Sequence, residues 1–231
     1  LGTWGMGGVG WDDNPKEVRQ DAIRAAVEAG INFFDTAPAY NGGAAERGLG
    51  EALADMGARK EVALCTKCGN LFVDGITYRR DGTAAGVRRQ CEDSLRNLRT
   101  DYIDLMLVHR PDPATPFEET MGELNRLKQE GKILHVGVSN FRREQMEEAG
   151  RFCEIEACQP QYSMVYRDDE ALIRWAAAQG IGVMTYGSLG GGILTGAFRE
   201  LTSFAASDSR NRFYKHFHEP MFSKVMELLK V

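Results

Sequence analysis

The sequence predicts an α/β fold of parallel strands, a (β/α)8 TIM barrel ahead of an open, doubly wound sheet. Three observations predict it. Short runs of β-branched and bulky apolar residues alternate with longer amphipathic runs along the whole chain. No hairpin turn is read between the strand runs, so each joins the next by a right-handed crossover. The Gly-x-Gly-x-x-Gly fingerprint of the nucleotide-binding open sheet is missing, since Gly5-Met6-Gly7-Gly8 is only a loose cluster with the wrong spacing.

Leu1–Trp4 is the first strand on this reading. Asn14-Pro15 make an N-cap and first-turn pair for a helix presenting Val18, Ala22, Ala25, Ala26 and Ala29, and Gly30 ends it. Asn32–Phe34 and Val62–Thr66 are strands, with a helix over Ala45–Met56 between them. The stretch Asn70–Gly82 is longer than a minimal loop and is expected to shape a binding site. A helix over Ala84–Leu98 leads to the strand Tyr102–Val108. Thr115-Pro116 and Gly131 then bracket a helix with Phe117, Met121, Leu124 and Leu127 on one side. Ile133–Val138, a helix over Arg142–Phe152, and Ile155–Cys158 come next. Arg167–Gln179 is helical up to Gly180, Ile181–Thr185 is the last strand, and a final helix begins near Glu219.

That makes seven strands, so the eighth βα unit of the barrel is missing. An unclosed barrel would expose two parallel edges. Residues 1–231 are therefore expected to be a single barrel domain shortened at both ends, continuing past Val231 and preceded by residues that include the initiator Met.

Composition narrows the class. A hydrophobic share of 43% and a charged share of 26% rule out a disordered or collagenous chain. A net charge of -5 argues against binding nucleic acid or an anionic membrane. Five cysteines are too few, and odd in number, for a disulfide scaffold, which points to a reducing, cytoplasmic setting. Trp175–Phe198 carries no charged residue, but seven glycines interrupt it, so it reads as a strand entering a glycine-rich loop rather than a membrane span.

The informative pattern lies in the residue that ends each apolar run. Asp35, Lys67, His109, Ser139-Asn140, Gln159 and Tyr186 stand at six successive strand ends. In a parallel barrel all six ends share one rim, where the βα-loops build active sites. One polar terminator is ordinary; six together, with Asp, Lys and His among them, point to a common site.

Asn32-Phe33-Phe34-Asp35-Thr36-Ala37-Pro38-Ala39-Tyr40 resembles the aldo-keto reductase signature around that family's catalytic Asp and Tyr. Ser94-Leu95-x-x-Leu98, Tyr102-Ile103-Asp104-Leu105 and Val108-His109 resemble the segment delivering its His. Val136–Phe141 and Tyr186–Gly192 also match family segments, and the resemblance runs in order over nearly the whole chain. It implies reduction of an aldehyde or ketone by hydride from NADPH, with NADH as a second donor and a small-molecule carbonyl as partner. Tyr40 would be the general acid, the Lys67 ammonium would make its proton easier to give, Asp35 would keep Lys67 charged, and His109 would orient the carbonyl.

The cofactor contacts implied by the resemblance are Ser139, Asn140 and Gln159 on the carboxamide and Tyr186 stacked on the nicotinamide. Gly187, Ser188, Leu189 and Gly191 would meet the pyrophosphate, and Gly2, Thr3 and Trp4 would lie near the ribose and substrate mouth. Ser139-Asn140 could equally cap a helix starting near Phe141.

Other features are discounted. Cys65-Thr66-Lys67-Cys68 has redox or zinc spacing but no second pair or nearby His, so its cysteines read as structural and no metal is expected. His216-Phe217-His218 reads as a surface loop, and Arg79-Arg80 and Arg88-Arg89 as solvated faces. Two other functions compete: a nicotinamide-binding redox sensor or channel-associated regulatory subunit with little turnover, and a Schiff-base enzyme using Lys67 as nucleophile. The sequence is silent on oligomeric state.

Overall fold

The computed structural model describes residues 1–6, 8, 10–11, 14–73 and 77–229, and the chain divides into two compact units, Leu1–Cys158 and Gln159–Val231. Gly7 of the glycine cluster and the last two residues of the final helix expected from the sequence lie outside the described residues.

In the first unit strands and helices alternate: α1 (Lys16–Glu28), β1 (Phe33–Asp35), α2 (Ala44–Met56), β2 (Ala63–Cys68), β3 (Asn70–Val73), β4 (Thr77–Arg80), α3 (Ala84–Leu98), β5 (Ile103–Val108), α4 (Phe117–Gln129), β6 (Ile133–Ser139), α5 (Arg143–Ala149) and β7 (Ala157–Gln159), whose last residue begins the second unit. β1, β2, β5 and β6 pair in parallel, with Asp35 opposite Cys65, Lys67 opposite Leu107, and Leu107 opposite Gly137. Gly137 is a requirement of that packing, because a Cβ there would stand 2.4 Å from the Ala157 carbonyl oxygen and 2.6 Å from a Leu107 methyl. Leu1–Trp4 contributes a single parallel bridge rather than a strand: Thr3 N–H donates to Asp35 O at 2.9 Å and Asp35 N–H to Leu1 O at 2.9 Å.

The core follows the helical periodicity where large side chains set it. Met121, Leu124 and Leu127 of α4, and Leu49 and Leu53 of α2, are fully buried, as are Phe34, Leu64, Leu107 and Val136 of the sheet. α1 differs from the expected face. It buries Ile23 and Ala26, while Val18, Ala22, Ala25 and Ala29 stay at least partly open to solvent. Ile23 removes far more apolar area from water than an alanine, so it sets the rotation of the helix.

β3 and β4 correct a second expectation. Asn70–Val73 and Thr77–Arg80 pair antiparallel, Asn70 opposite Arg80 and Val73 opposite Thr77, where a loop without strand pairing is expected from the sequence. The Asp74-Gly75 dipeptide carries that signal in the sequence; it lies outside the described residues.

The end of the sheet where β2 and β5 begin is braced by Arg59. Its guanidinium donates to Thr100 Oγ1 at 2.8 Å, Tyr102 O at 2.8 Å, Val62 O at 3.0 Å and Asp104 Oδ2 at 2.8 Å. It also lies 4.0 Å over the Tyr102 ring, and Asp104 in turn accepts from Leu64 N–H at 2.8 Å. Every nitrogen of the planar fork is used, the arrangement for which arginine suits better than lysine.

The second unit contains α6 (Glu170–Ala178), β8 (Gly182–Val183), α7 (Ser209–Phe213) and α8 (Met221–Leu228). β8 is shorter than the expected Ile181–Thr185, but its line continues at Tyr186, whose N–H donates to Pro160 O at 3.0 Å and whose O accepts from Tyr162 N–H at 3.1 Å. Ile193, Tyr214, His216, Phe217, Phe222 and Val225 are buried in this unit. Among the described residues no helix is long and apolar enough to cross a membrane.

Candidate active site

The parallel register of the first unit brings the C-terminal ends of β1, β2 and β5 side by side, and these ends carry Asp35, Lys67 and His109. Lys67 alternates inward on β2 and is 1% exposed. Its Nζ donates to both oxygens of Asp35 at 2.9 Å, to Thr36 O at 2.8 Å and to Tyr40 Oη at 3.0 Å. A buried ammonium is tolerated only when paired and hydrogen-bonded, and these four oxygens meet that condition.

Tyr40 reaches Lys67 from an unusual turn. Asn41, Gly42 and Gly43 come after it with φ of 51°, 56° and 79°, three successive left-handed residues before α2 begins. For Asn41 that conformation costs about 1 kcal/mol. The turn folds Tyr40 back over the strand ends, half-buried between two rings. His109 meets it edge-on with centroids 5.9 Å apart, and Trp4 lies beside it at 6.3 Å, with Trp11 packed at 5.1 Å against Trp4.

Electrostatics sort the four groups. Burial pushes the Tyr40 phenol above its ordinary value, and the Lys67 ammonium pulls it back only in part. Burial by itself would push Lys67 down, but the Asp35 carboxylate overrides it, so Lys67 stays charged with its affinity for the proton raised. Burial, then the positive charges of Lys67, Arg110 and Arg80, hold His109 well below the usual histidine range. At neutral pH the site is a neutral phenol, a neutral imidazole and a lysine–carboxylate pair. Such a set can donate one proton from Tyr40 while the ammonium holds the phenolate left behind.

The segment after β6 joins this cluster. Asn140 is left-handed at φ 58°, and its Nδ2 donates to His109 O at 3.0 Å and to Ser139 Oγ at 2.9 Å. Neither residue caps α5, whose N-terminus is closed by Arg142 and Gln145. Of the first residues, Gly2 bridges Asp35, Thr3 Oγ1 donates to Thr36 Oγ1 at 2.9 Å, and Trp4 faces Tyr40.

In the second unit Gln159 is buried at the end of β7. After Tyr186 the chain turns through Gly187, Gly190, Gly191 and Gly192 at φ 69°, 59°, 65° and 104°. A Cβ on Gly191 would stand 2.9 Å from the Tyr214 ring. Ser188 Oγ lies 3.3 Å from Thr185 Oγ1, and Leu189 is exposed. The turn is held from behind by His216, whose Nε2 is 2.7 Å from Gly190 O. His216 and Phe217 are buried, which corrects the expectation of a surface loop there; only His218 is exposed. The glycines leave room for rings to pack on the backbone, and Tyr214 and His216 fill it.

Cys65 and Cys68 are buried free thiols, both pushed up by burial. Among the described residues no group of three His, Cys, Asp or Glu could hold a metal ion. Of the arginine pairs, Arg79 and Arg89 are exposed, as a solvated face requires, while Arg80 and Arg88 are half-buried: Arg88 bridges Glu123 and Glu130, and Arg80 donates to Asn70 Oδ1 at 2.8 Å. Sequence reasoning misses the buried Glu46 of α2. Its signal is a carboxylate on the apolar face of a helix, in line with Leu49, Gly50 and Leu53.

The family model described as the aldo/keto reductase family matches residues 1–230. The chain is 38% identical over 225 residues to the aldo-keto reductase YhdN of Bacillus subtilis, covering 97% of this chain and 66% of that relative. It is 35% identical over 211 residues to the NADH-specific methylglyoxal reductase of Escherichia coli, covering 85% and 64%. The fold matches a glycerol dehydrogenase from Gluconobacter oxydans with a TM-score of 0.89 and 36% identity, over 100% of this chain and 71% of that one. It also matches an aldo/keto reductase from Klebsiella pneumoniae in complex with NADP and acetate, with a TM-score of 0.70, 31% identity and coverage of 83% and 64%. The chain spans 66% and 64% of the length of those two curated relatives, just under two thirds.

Proposed function

The chain belongs to the aldo/keto reductase family, and from that premise we propose that it reduces an aldehyde or ketone to an alcohol with NADPH, or NADH, as the electron donor. The observation that carries this reading is the Lys67 ammonium, buried, paired with Asp35 and 3.0 Å from Tyr40 Oη.

The bound dinucleotide supplies the hydride, which no side chain can. In the first unit Ser139 and Asn140 would offer polar groups to its carboxamide; in the second, Gln159 would do the same, Tyr186 would offer a ring to its nicotinamide, and the turn from Gly187 through Ser188 and Leu189 to Gly191 would offer amides to its pyrophosphate. What supports this reading is the run of left-handed residues at Gly187, Gly190 and Gly191, a backbone conformation that glycine adopts without steric cost. Gly2, Thr3 and Trp4 would lie near the ribose and the substrate mouth, and they pack on Asp35, Thr36 and Tyr40.

Tyr40 gives its proton to the oxygen of the forming alkoxide, and Lys67 stabilises the phenolate that remains. A positioned acid of this kind contributes roughly 100- to 10,000-fold. Asp35 keeps Lys67 charged, which also leaves no neutral amine for Schiff-base chemistry. His109, neutral at pH 7, donates a hydrogen bond to the carbonyl and orients it.

The test is NADPH oxidation monitored by absorbance against a panel of aldehydes, beside nicotinamide binding measured by fluorescence. Turnover that falls at least about 100-fold in Tyr40→Phe, with cofactor affinity unchanged, is the expected result. Cofactor binding without turnover on any carbonyl would overturn the reading in favour of a sensor or regulatory subunit.

A further inference from the structure

We propose that Glu46, a carboxylate outside the reacting group, is the positioning residue that holds Tyr40 and Lys67 at hydrogen-bonding distance, acting through Thr66. This rests on the reading of Tyr40 and Lys67 given above.

Glu46 sits in the first turn of α2 and is fully buried. Its Oε1 accepts from Thr66 Oγ1 at 2.7 Å, and Thr66 immediately precedes Lys67 on β2. Its Oε2 accepts from Asn97 Nδ2 of α3 at 2.9 Å. One carboxylate thus ties together the helix beyond Tyr40, the strand that carries Lys67, and the neighbouring helix.

The link matters because the segment between Tyr40 and α2 cannot set its own geometry. Asn41, Gly42 and Gly43 are all left-handed, and two of the three are glycines with no side chain to fix them. The Arg47 guanidinium, 3.3 Å from Gly42 O through both terminal nitrogens, reaches back to the turn from α2. The position of the phenol is therefore inherited from α2, and that of α2 from its partners. Gly50, one helical turn beyond Glu46, lets α2 approach α3 so closely that a Cβ there would stand 2.5 Å from Asn97 O. Glu46 and Gly50 form one contact line: the glycine permits the approach and the carboxylate fixes its register. Burying a carboxylate is costly, and an apolar residue in line with Leu49 and Leu53 would pack as well. A carboxylate earns its place there only by accepting hydrogen bonds from two other elements at once.

Three variants separate this role from plain stability: Glu46→Ala, Glu46→Gln and Thr66→Val, each compared with wild type and Tyr40→Phe. Loss of a fraction of an ångström in alignment costs on the order of 10- to 100-fold in turnover. Glu46→Ala is expected to lower kcat by that factor while KM and nicotinamide affinity change less than about threefold. Glu46→Gln keeps an oxygen for Thr66 and is expected to recover kcat to within about threefold of wild type. Thr66→Val, nearly isosteric, should lower kcat about 10-fold. The 15Nζ resonance of Lys67 supplies a readout that needs no turnover: in Glu46→Ala and Thr66→Val it should move toward its position in Tyr40→Phe, where the phenol contact is absent.

Wild-type kcat in both Glu46→Ala and Thr66→Val, or an unmoved Lys67 resonance, overturns the proposal. So does equal loss in the Ala and Gln variants, which would make charge rather than hydrogen bonding the cause. If wild type itself fails to turn over any carbonyl, the reductase reading falls, and the Lys67 resonance still decides the role of Glu46.

Discussion

Replacing Asp35 by Asn strips the charge from the partner of a buried ammonium and leaves the geometry nearly unchanged. In wild type, Lys67 Nζ has the two Asp35 oxygens at 2.9 Å, with Thr36 O and Tyr40 Oη as its other acceptors. After the change it keeps those two neutral oxygens and an amide carbonyl. Breaking one side of a buried pair costs about 3–5 kcal/mol. The Asp35 side chain is 18% exposed, so the lower end applies, about 3 kcal/mol. At about 2–4 °C per kcal/mol for a chain of 231 residues, the melting temperature should fall by about 6–12 °C. Lys67→Met removes the ammonium itself and leaves a carboxylate that still touches water, so its loss should stay below about 1.5 kcal/mol. Both variants should be inactive, yet Asp35→Asn should be the less stable. The folded-state pKa of Lys67 is raised, so the stability from pairing is fully present below the unfolded value near about 10.4 and fades as pH rises past it. The stability that wild type draws from the pair should therefore be flat from about pH 6 to 9. Urea denaturation of the three proteins at neutral pH and near the upper end of that range measures all of this. Lys67→Met less stable than Asp35→Asn would refute the account of the pair.

The imidazole of His109 is held neutral, so the unfolded chain takes up its proton first, and stability should fall as pH drops below about 6.5, by up to about 1.4 kcal/mol per pH unit for this one group. His109→Gln should flatten that acid limb in urea midpoints taken between about pH 7 and 5; an unchanged slope removes His109 as its source. Gly191→Ala forces a side chain into a left-handed residue 2.9 Å from the Tyr214 ring, and the cost of about 1.4 kcal/mol should weaken NADPH binding roughly tenfold by fluorescence titration. Equal affinity in that variant would take the glycine turn out of the dinucleotide site.

Much of this is legible from residue order because strong periodic signals decide it. α3 has the bounds that its sequence predicts, and the strands leading to Asp35, Lys67 and His109 coincide with their apolar runs to within a residue or two. Parallel pairing then forces those three onto neighbouring strand ends, which is why the cluster can be anticipated. The features that escape such reading depend on partners distant in sequence. The rotation of α1 is set by one isoleucine against several alanines, a difference in buried area that a binary pattern does not weigh. The burial of His216 follows from a carbonyl 26 residues away at Gly190. The pairing of β3 with β4 is not legible from the length of the stretch Asn70–Gly82, which by itself suggests only a long loop. Glu46 stands in plain view on an apolar face; only its two distant donors, Thr66 and Asn97, explain it.

The Arg59 brace grips β2 and β5 where they begin, while the phenol, imidazole and ammonium gather where those strands finish. β2 is thus tied at both ends, by a guanidinium at one and by a buried ion pair at the other, so its register does not depend on either contact alone.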